Sequence, residues 1–207
     1  MSSLSGVIQM TYFLGLTGGI ATGKSTADEF FKKKNIPIVD SDQIAHELMA
    51  KDQASYQAIV GHFSKEILAA DGEIDRKKLG GIVFNDKNQL KRLNELTHPL
   101  ILNNMEEKIT QYQAQGEPLV ILDIPLLFED DLSHYCDATL LVTAPPQLEL
   151  SRLMARNNLS EEDAQKRIAS QMPLSEKEKL ADYVIENAGT VNDLENKLSS
   201  LLEEIGR

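Results

Sequence analysis

The sequence predicts an α/β fold, in which a five-stranded parallel sheet is flanked by helices. Five short apolar runs alternate with stretches that have helical spacing, as in parallel sheets covered on both faces. The first run ends in a Gly-rich loop followed by a helical pattern. Hydrophobic residues make up 42% of the 207 residues and charged residues 26%, which is typical of one globular domain with insertions.

The predicted elements follow in a regular order. The strands are expected at 12–16, 36–39, 118–122, 138–143 and 183–185. Helical spacing is found at 25–34, over most of 42–115, at 148–156 and at 190–204. Asp75 and Asp86 are expected to cap helices, and Ser160 to open a further helix through a capping box. An Asp71-Gly72 pair marks a turn.

Composition excludes several functions. The net charge of −11 argues against nucleic acids or acidic membranes as partners, because both would require a basic face. A single cysteine, Cys136, forms no internal disulfide or cysteine-based zinc cluster, and we expect it to be half-buried. No apolar stretch approaches the ~20 residues of a membrane span. Residues 1–9 lack the features of a signal peptide, so we expect a short extension, with Met10 as a candidate start, and a cytoplasmic protein.

One loop carries the clearest chemical signal. The stretch Gly18-Gly19-Ile20-Ala21-Thr22-Gly23-Lys24-Ser25 fits the phosphate-binding pattern G-x-x-x-x-G-K-[ST] without a gap. The alternative is a chance match in a Gly-rich turn. A predicted strand before the loop and a predicted helix after it favour a true phosphate-binding loop, or P-loop.

Each residue type in the loop has a chemical role. Small residues let backbone N–H groups surround phosphate oxygens, and the helix after them adds the positive end of its dipole. Lys24 should reach the β- and γ-phosphates of a nucleotide, and Ser25 should bind Mg²⁺. Backbone contacts to the nucleotide are expected from the loop residues Gly18, Gly19, Ala21, Thr22 and Gly23. Thr26, after the loop, can add a hydroxyl near the α-phosphate.

Further polar residues favour a small-molecule kinase among P-loop proteins. The guanine-reading Asn-Lys-x-Asp motif is absent, since Asn85-Asp86-Lys87 has the wrong order. Asp40 and Asp42 follow the second strand and Asp123 ends the third, where open α/β sheets place their chemistry. The aspartates could instead cap helices or end a turn. Three arginines on later helices could close over phosphates or form a solvated face: Arg152, Arg156 and Arg167. His46, His62 and His134 are interpreted as surface or structural residues.

The chain also resembles the dephospho-CoA kinase family from about Thr11 to the final helix. The resemblance depends on the P-loop and on stretches in family order: Val39-Asp40-Ser41-Asp42, Leu96-Thr97-His98-Pro99, Asp123-Ile124-Pro125-Leu126-Leu127-Phe128-Glu129, Gln171-Met172-Pro173 and Ala181-Asp182-Tyr183-Val184-Ile185 with Asn187. Two departures are Ala21, where the family often has glycine, and His46, where it often has arginine. The first should be tolerated, and the second puts one substrate contact in doubt.

The resemblance implies a reaction and a set of roles. ATP would donate its γ-phosphoryl group to the 3′-hydroxyl of dephospho-CoA, giving coenzyme A. Asp42 would accept the hydroxyl proton or act through Mg²⁺, and Arg152 and Arg156 would close from a lid. His98 and Pro99 would shape the acceptor site, although the residues alone indicate only a break between two helices. Asp123 would orient Mg²⁺ or hold the substrate region.

A three-part organisation and two rivals complete the prediction. The nucleotide-binding core would comprise 11–40, 118–143 and 181–207, with a helical acceptor domain at 41–117 and a lid at 144–180. We expect a monomer, with an oligomer left open. The rivals are a kinase for nucleoside monophosphates or sugars, and a nucleotide-gated binding protein. The second would be expected to carry a base-reading motif or a partner-docking surface, and the sequence shows neither.

Overall fold

The sheet has the strands that the sequence predicts. The computed structural model describes residues 10–206, so the expectation of an N-terminal extension at 1–9 lies outside the described residues. Its strands are β1 (Tyr12–Gly18), β2 (Ile38–Asp40), β3 (Leu119–Asp123), β4 (Ala138–Thr143) and β5 (Tyr183–Glu186). Their order across the sheet is β2-β3-β1-β4-β5, with β1 parallel to β3 and β4, and β4 parallel to β5. The predicted five-stranded parallel sheet is confirmed.

The helices connect these strands. Their bounds are α1 (Lys24–Lys33), α2 (Ser41–Leu48), α3 (Ala54–Phe63), α4 (Arg76–Val83), α5 (Lys87–Gln115), α6 (Pro146–Asn157), α7 (Glu161–Ile168), α8 (Leu174–Leu180) and α9 (Val191–Ile205). Asp75 caps α4 by accepting from two backbone N–H groups, and Asp86 accepts in the same way at the start of α5. Ser160 caps α7, and the full reciprocal capping box is found at Thr190. No helix in the described range is long and apolar enough to cross a membrane.

The chain divides into two compact units, and the first contains the sheet. Among the described residues, this unit comprises 10–39 and 112–206. In its core, apolar residues of the strands pack against one face each of α1 and α9. The buried members from these two helices are spaced one turn apart, as the amphipathic pattern of 190–204 predicts: Ala27, Phe30, Phe31, Leu194, Leu198 and Leu201.

The second unit, residues 40–111, is helical and has a core of its own. It contains α2, α3, α4 and most of α5. Four fully or nearly fully buried side chains form the centre of its core: Ile59, Ile67, Leu79 and Val83. Partly buried residues of α5 such as Leu90 and Leu93 pack against them. An inserted segment that buries its own apolar residues can keep its fold without strands of the sheet.

The expected helix break at His98 and Pro99 is wrong. Pro99 lies inside α5, which continues for 29 residues from Lys87 to Gln115. A proline removes one backbone donor and costs a helix about 3 kcal/mol. The helix continues because it loses only one of its many backbone hydrogen bonds at this point. Near the proline, the Thr97 hydroxyl donates to the Leu93 carbonyl at 3.0 Å.

Candidate active site

The loop between β1 and α1 has a conformation that depends on small residues. Gly23 has φ +110°, a left-handed conformation that favours glycine, and a side chain there would collide with the Asn187 amide. Ala21 has φ +60°, which costs a residue with a Cβ roughly 1 kcal/mol. The departure from glycine at position 21 therefore adds more than a methyl group, because it adds backbone strain.

Close packing explains a second glycine of the loop. A Cβ at Gly19 would lie 2.7 Å from Glu149 Oε1 and 2.9 Å from the Thr22 methyl carbon. Thr22 is buried, and its hydroxyl donates to the Gly19 carbonyl at 2.9 Å. Burial raises the pKa of the Glu149 carboxyl, and the charge of Lys177 opposes that rise. The loop is therefore closely packed against Glu149 and Thr22.

The start of α1 is suited to an anion. Gly23 is the N-cap residue, no side chain caps the helix, and no acidic residue occupies the first turn. Backbone N–H groups in the first turn of a helix have no partners within the helix, and the dipole favours negative charge there. Ser25 is exposed and Thr26 is half-exposed at this end. A phosphate group is the chemical partner that such an end can accept.

Lys24 and Asp123 form an ion pair at the carboxyl end of the sheet. The Lys24 ammonium lies 2.5 and 2.7 Å from the two carboxylate oxygens of Asp123, and 3.6 Å from Asp28. Asp123 is only 2% exposed. Burial raises the pKa of Asp123 to about 7, with Asp28 adding to the rise and Lys24 opposing it. Of the two interpretations of Asp123, a simple turn residue and a site residue, the second fits this contact better.

Two side-chain amides contact the backbone of the loop from distant parts of the chain. Asn187 Nδ2 donates to the Thr22 carbonyl at 2.9 Å, across 165 residues. Gln171 Oε1 accepts from the Ile20 N–H at 3.1 Å, across 151 residues. Sequence analysis assigned no role to either residue. The available signal was that both lie in stretches that resemble the kinase family, Gln171 beside Met172-Pro173 and Asn187 after the fifth strand.

The three arginines differ in their surroundings. Arg152 on α6 is half-buried and donates to the Asn187 carbonyl at 3.0 Å, which connects it to the residue that supports the loop. Arg156 lies one turn further and is exposed, with its Nε donating to Asn157. Arg167 on α7 is exposed. Arg152 is therefore the arginine that the structure connects to the loop, whereas the roles of Arg156 and Arg167 stay predictions.

The remaining candidate residues belong to the helical unit. Asp40 is the N-cap of α2, where its side chain accepts from the Gln43 N–H at 2.9 Å, so the capping interpretation holds for Asp40. Asp42 lies in the first turn of α2 and is exposed. His98 and Pro99 are exposed on α5. The structure thus places Asp42, His98 and Pro99 on the surface of the helical unit, and their roles stay predictions.

The residues interpreted as structural show ordinary surroundings. His46 is exposed, His62 lies 3.3 Å from the Gln89 side-chain oxygen, and His134 lies 2.7 Å from the Asp131 carbonyl. Cys136 is half-buried, and its burial raises the pKa of the thiol to about 12. A thiol with this pKa is protonated at neutral pH and is a poor nucleophile.

Comparison with known proteins gives a consistent result. The sequence model of a family described as dephospho-CoA kinase matches residues 12–193. A dephospho-CoA kinase from Lactobacillus johnsonii is 58% identical over 198 residues, covering 96% of this chain and 100% of that protein. The crystal structure of a Thermus thermophilus protein has a TM-score of 0.78 at 35% identity, covering 94% of this chain and 98% of that one. A dephospho-CoA kinase structure from Campylobacter jejuni has a TM-score of 0.73 at 32% identity, covering 95% and 98%.

Fold and loop together define the class of protein. A parallel five-stranded sheet with connecting helices and a P-loop after β1 is the fold of a P-loop kinase. The chain belongs to the dephospho-CoA kinase family, whose model covers most of its length.

Proposed function

We propose that this protein transfers the γ-phosphoryl group of ATP to the 3′-hydroxyl of dephospho-CoA, giving coenzyme A and ADP. This is the final step of coenzyme A biosynthesis. The observation that carries the proposal is the P-loop with its uncapped helix end, in a chain that matches the dephospho-CoA kinase family over 12–193. Transfer of a phosphoryl group requires mainly alignment and charge neutralisation from the protein.

In this proposal, the triphosphate binds along the loop and the start of α1. Backbone groups of Gly18, Gly19 and 21–23 surround the phosphates, and Lys24 neutralises charge that develops on the transferred group. Lys24 contacts Asp123 in the described structure, and that carboxylate keeps the ammonium at the carboxyl end of the sheet. The lysine is therefore positioned in advance at the edge where the γ-phosphate is expected.

Asp42 is the proposed catalytic residue of the helical unit. A carboxylate can accept the proton of the 3′-hydroxyl as that oxygen attacks, or act by binding the cation of the nucleotide. His98 and Pro99 are proposed to contact the acceptor from α5. These roles follow from the family's motifs and from exposure of all three residues on the helical unit.

Mg²⁺ is the proposed cation. The hydroxyl of Ser25 and the carboxylate of Asp42 are hard oxygen ligands, and both side chains are exposed. Among the described residues, no group of three or more His, Cys, Asp or Glu side chains could hold a metal. Each ligand taken alone suits Mg²⁺, which usually binds through one or two protein ligands together with phosphates and water. When bound, Mg²⁺ neutralises charge on the β- and γ-phosphates.

The segment 144–180 is the proposed lid, in which α6 and α7 would move while the turn of Gln171 stays attached to Glu129. Arg152 and Arg156 lie on its first helix, and Arg156 is exposed and available to a phosphate. Closure would exclude water, which competes with the ribose hydroxyl for the phosphoryl group. Protection of this segment from proteases by ATP plus dephospho-CoA supports the lid, and unchanged cleavage contradicts it.

The proposed setting is a monomer in the cytoplasm, without nucleic-acid or membrane partners. The net charge of −11 supports the part of this proposal that concerns nucleic acids and acidic membranes, because both would require a basic face. Light scattering of the purified protein measures the oligomeric state directly.

The decisive experiment measures ADP production with Mg·ATP and three acceptors. Dephospho-CoA should support turnover and yield coenzyme A, whereas AMP and pantetheine phosphate should not. Turnover with another acceptor would contradict the substrate but retain a P-loop kinase. Absence of turnover with all acceptors would favour a nucleotide-gated binding protein.

A further inference from the structure

The P-loop is held by a side-chain amide from the turn between α7 and α8. The carbonyl oxygen of the half-buried Gln171 accepts from the N–H of Ile20 at 3.1 Å. Ile20 is the third residue of the loop and comes directly before the strained Ala21. A contact at this point therefore acts on the part of the loop with the least favourable backbone conformation.

The turn that carries Gln171 is itself attached to the interior. Lys177 is 0% exposed, and its ammonium lies 2.8 Å from Glu129 Oε1. The same carboxylate oxygen accepts from the N–H of Met172, next to Gln171, at 3.2 Å. Removing one partner from a buried ion pair is strongly destabilising, so this attachment resists displacement.

The opposite side of the strained residue is held as well. Asn187 donates to the carbonyl of Thr22, so two amides contact the backbone on either side of Ala21. Asn187 is buried and its own N–H donates to the Thr143 carbonyl at 2.8 Å. Both amides thus extend from fixed positions in the first unit.

We propose that Gln171 is a positioning residue that orders the P-loop before the nucleotide binds. The ion pair of buried Lys177 with partly buried Glu129 holds the turn, and the hydrogen bond from Ile20 to Gln171 holds the loop against that turn. ATP then binds a loop that has already lost its conformational freedom, which raises affinity. If Gln171 only occupied the position of a phosphate group, it would have to move away when ATP binds. The attachment of its turn to Glu129 opposes that movement. The inference rests on the proposed function only in taking ATP as the nucleotide.

The test is calorimetric binding of Mg·ATP to the intact Gln171→Met variant. Methionine has a similar length but cannot accept the hydrogen bond from Ile20. We expect the Kd for ATP to rise about three- to tenfold, the effect of one net hydrogen bond. The Kd for dephospho-CoA should be unchanged, and the melting temperature should fall by no more than the loss of one hydrogen bond explains. Gln165→Met, on the exposed face of α7, makes the same substitution away from the loop and should leave all three values unchanged.

Several results would overturn the inference. An unchanged Kd for ATP would mean that the hydrogen bond does not order the loop, even if the melting temperature fell. Tighter binding of ATP would mean that Gln171 competes with phosphate. The measurement needs no turnover, so wild-type protein that binds ATP but does not phosphorylate dephospho-CoA would contradict the proposed function alone.

Discussion

The P-loop region and the helical unit present their candidate residues in opposite ways. Around the P-loop, Lys24 pairs with an aspartate that is 2% exposed, and the backbone is held by amides more than 150 residues away in sequence. In the helical unit, Asp42 and His98 are exposed on helices whose own core lies elsewhere. In the first region, the candidate residues take part in contacts that hold the fold, whereas in the second they are exposed on the surface.

This difference has a physical origin. A phosphate loop has to present several backbone groups at once, so the surrounding core must support it. A carboxylate that acts on a substrate hydroxyl needs only a stable helix beneath it. Substitutions should therefore separate activity from stability in the helical unit and change both near the P-loop.

The largest effect is expected for Asp42→Asn. Loss of the carboxylate should lower kcat about 10²–10⁴-fold, the usual contribution of a general base, while the Kd for ATP changes little. The free energy of unfolding should change by less than about 0.5 kcal/mol, because the side chain is exposed. Steady-state kinetics, calorimetry and urea unfolding measure these quantities. Asp71→Asn, also exposed in this unit, is the matched control. Loss of ATP binding in Asp42→Asn would instead identify Asp42 as a metal ligand.

Lys24→Ala should have the next largest effect on turnover. Removing a cation from the developing charge should lower kcat/KM about 10²–10³-fold. It should also lower the free energy of unfolding, because the buried Asp123 loses its closest partner. Lys32→Ala, at the exposed end of α1, is the control and should leave turnover unchanged. Near-normal turnover in Lys24→Ala would contradict the assignment of the loop.

Asp123→Asn should change how stability depends on pH. The folded-state pKa of about 7 lies above the ordinary 3.8, so the folded protein retains a proton that the unfolded chain releases. The free energy of unfolding of the wild type should therefore fall as pH rises from about 4 to 7. The variant lacks this contribution. Urea unfolding at several pH values, without Mg²⁺, tests the prediction, and parallel curves for the two proteins would refute it.

Ala21→Gly should have the smallest effect and the opposite sign. Glycine relieves the left-handed strain at φ +60° but adds freedom to the unfolded chain. We expect the free energy of unfolding to rise by a few tenths to about 1 kcal/mol. Ala155→Gly, on the exposed side of α6, should instead lower it by about 1 kcal/mol. A destabilised Ala21→Gly protein would mean that the methyl group makes a packing contact worth more than the strain.

The sequence predicted features whose cause is local. The P-loop was readable because its backbone demands glycines, a lysine and a hydroxyl at fixed spacing, and the strands because each is a short apolar run. Gln171 and Asn187 were missed because each contacts a backbone group of the loop. Every residue type has the same backbone groups, so such a contact leaves no pattern in the sequence of the loop. The helix break predicted at Pro99 was wrong because the loss of one backbone hydrogen bond does not end a 29-residue helix. The ion pair of Lys24 with Asp123 depends on how the strands are ordered, which local patterns do not contain.

The strand order also determines when the protein can fold during its synthesis. β1 is made first, but it pairs with β3 from Tyr12 opposite Leu119, and with β4 from Leu14 opposite Ala138. The ribosome must therefore complete the whole helical unit, residues 40–111, before the first strand has a neighbour. That unit can bury its own apolar residues while β1 is still unpaired in the nascent chain. Until β3 and β4 emerge, the apolar β1 is the segment that a chaperone would be expected to protect.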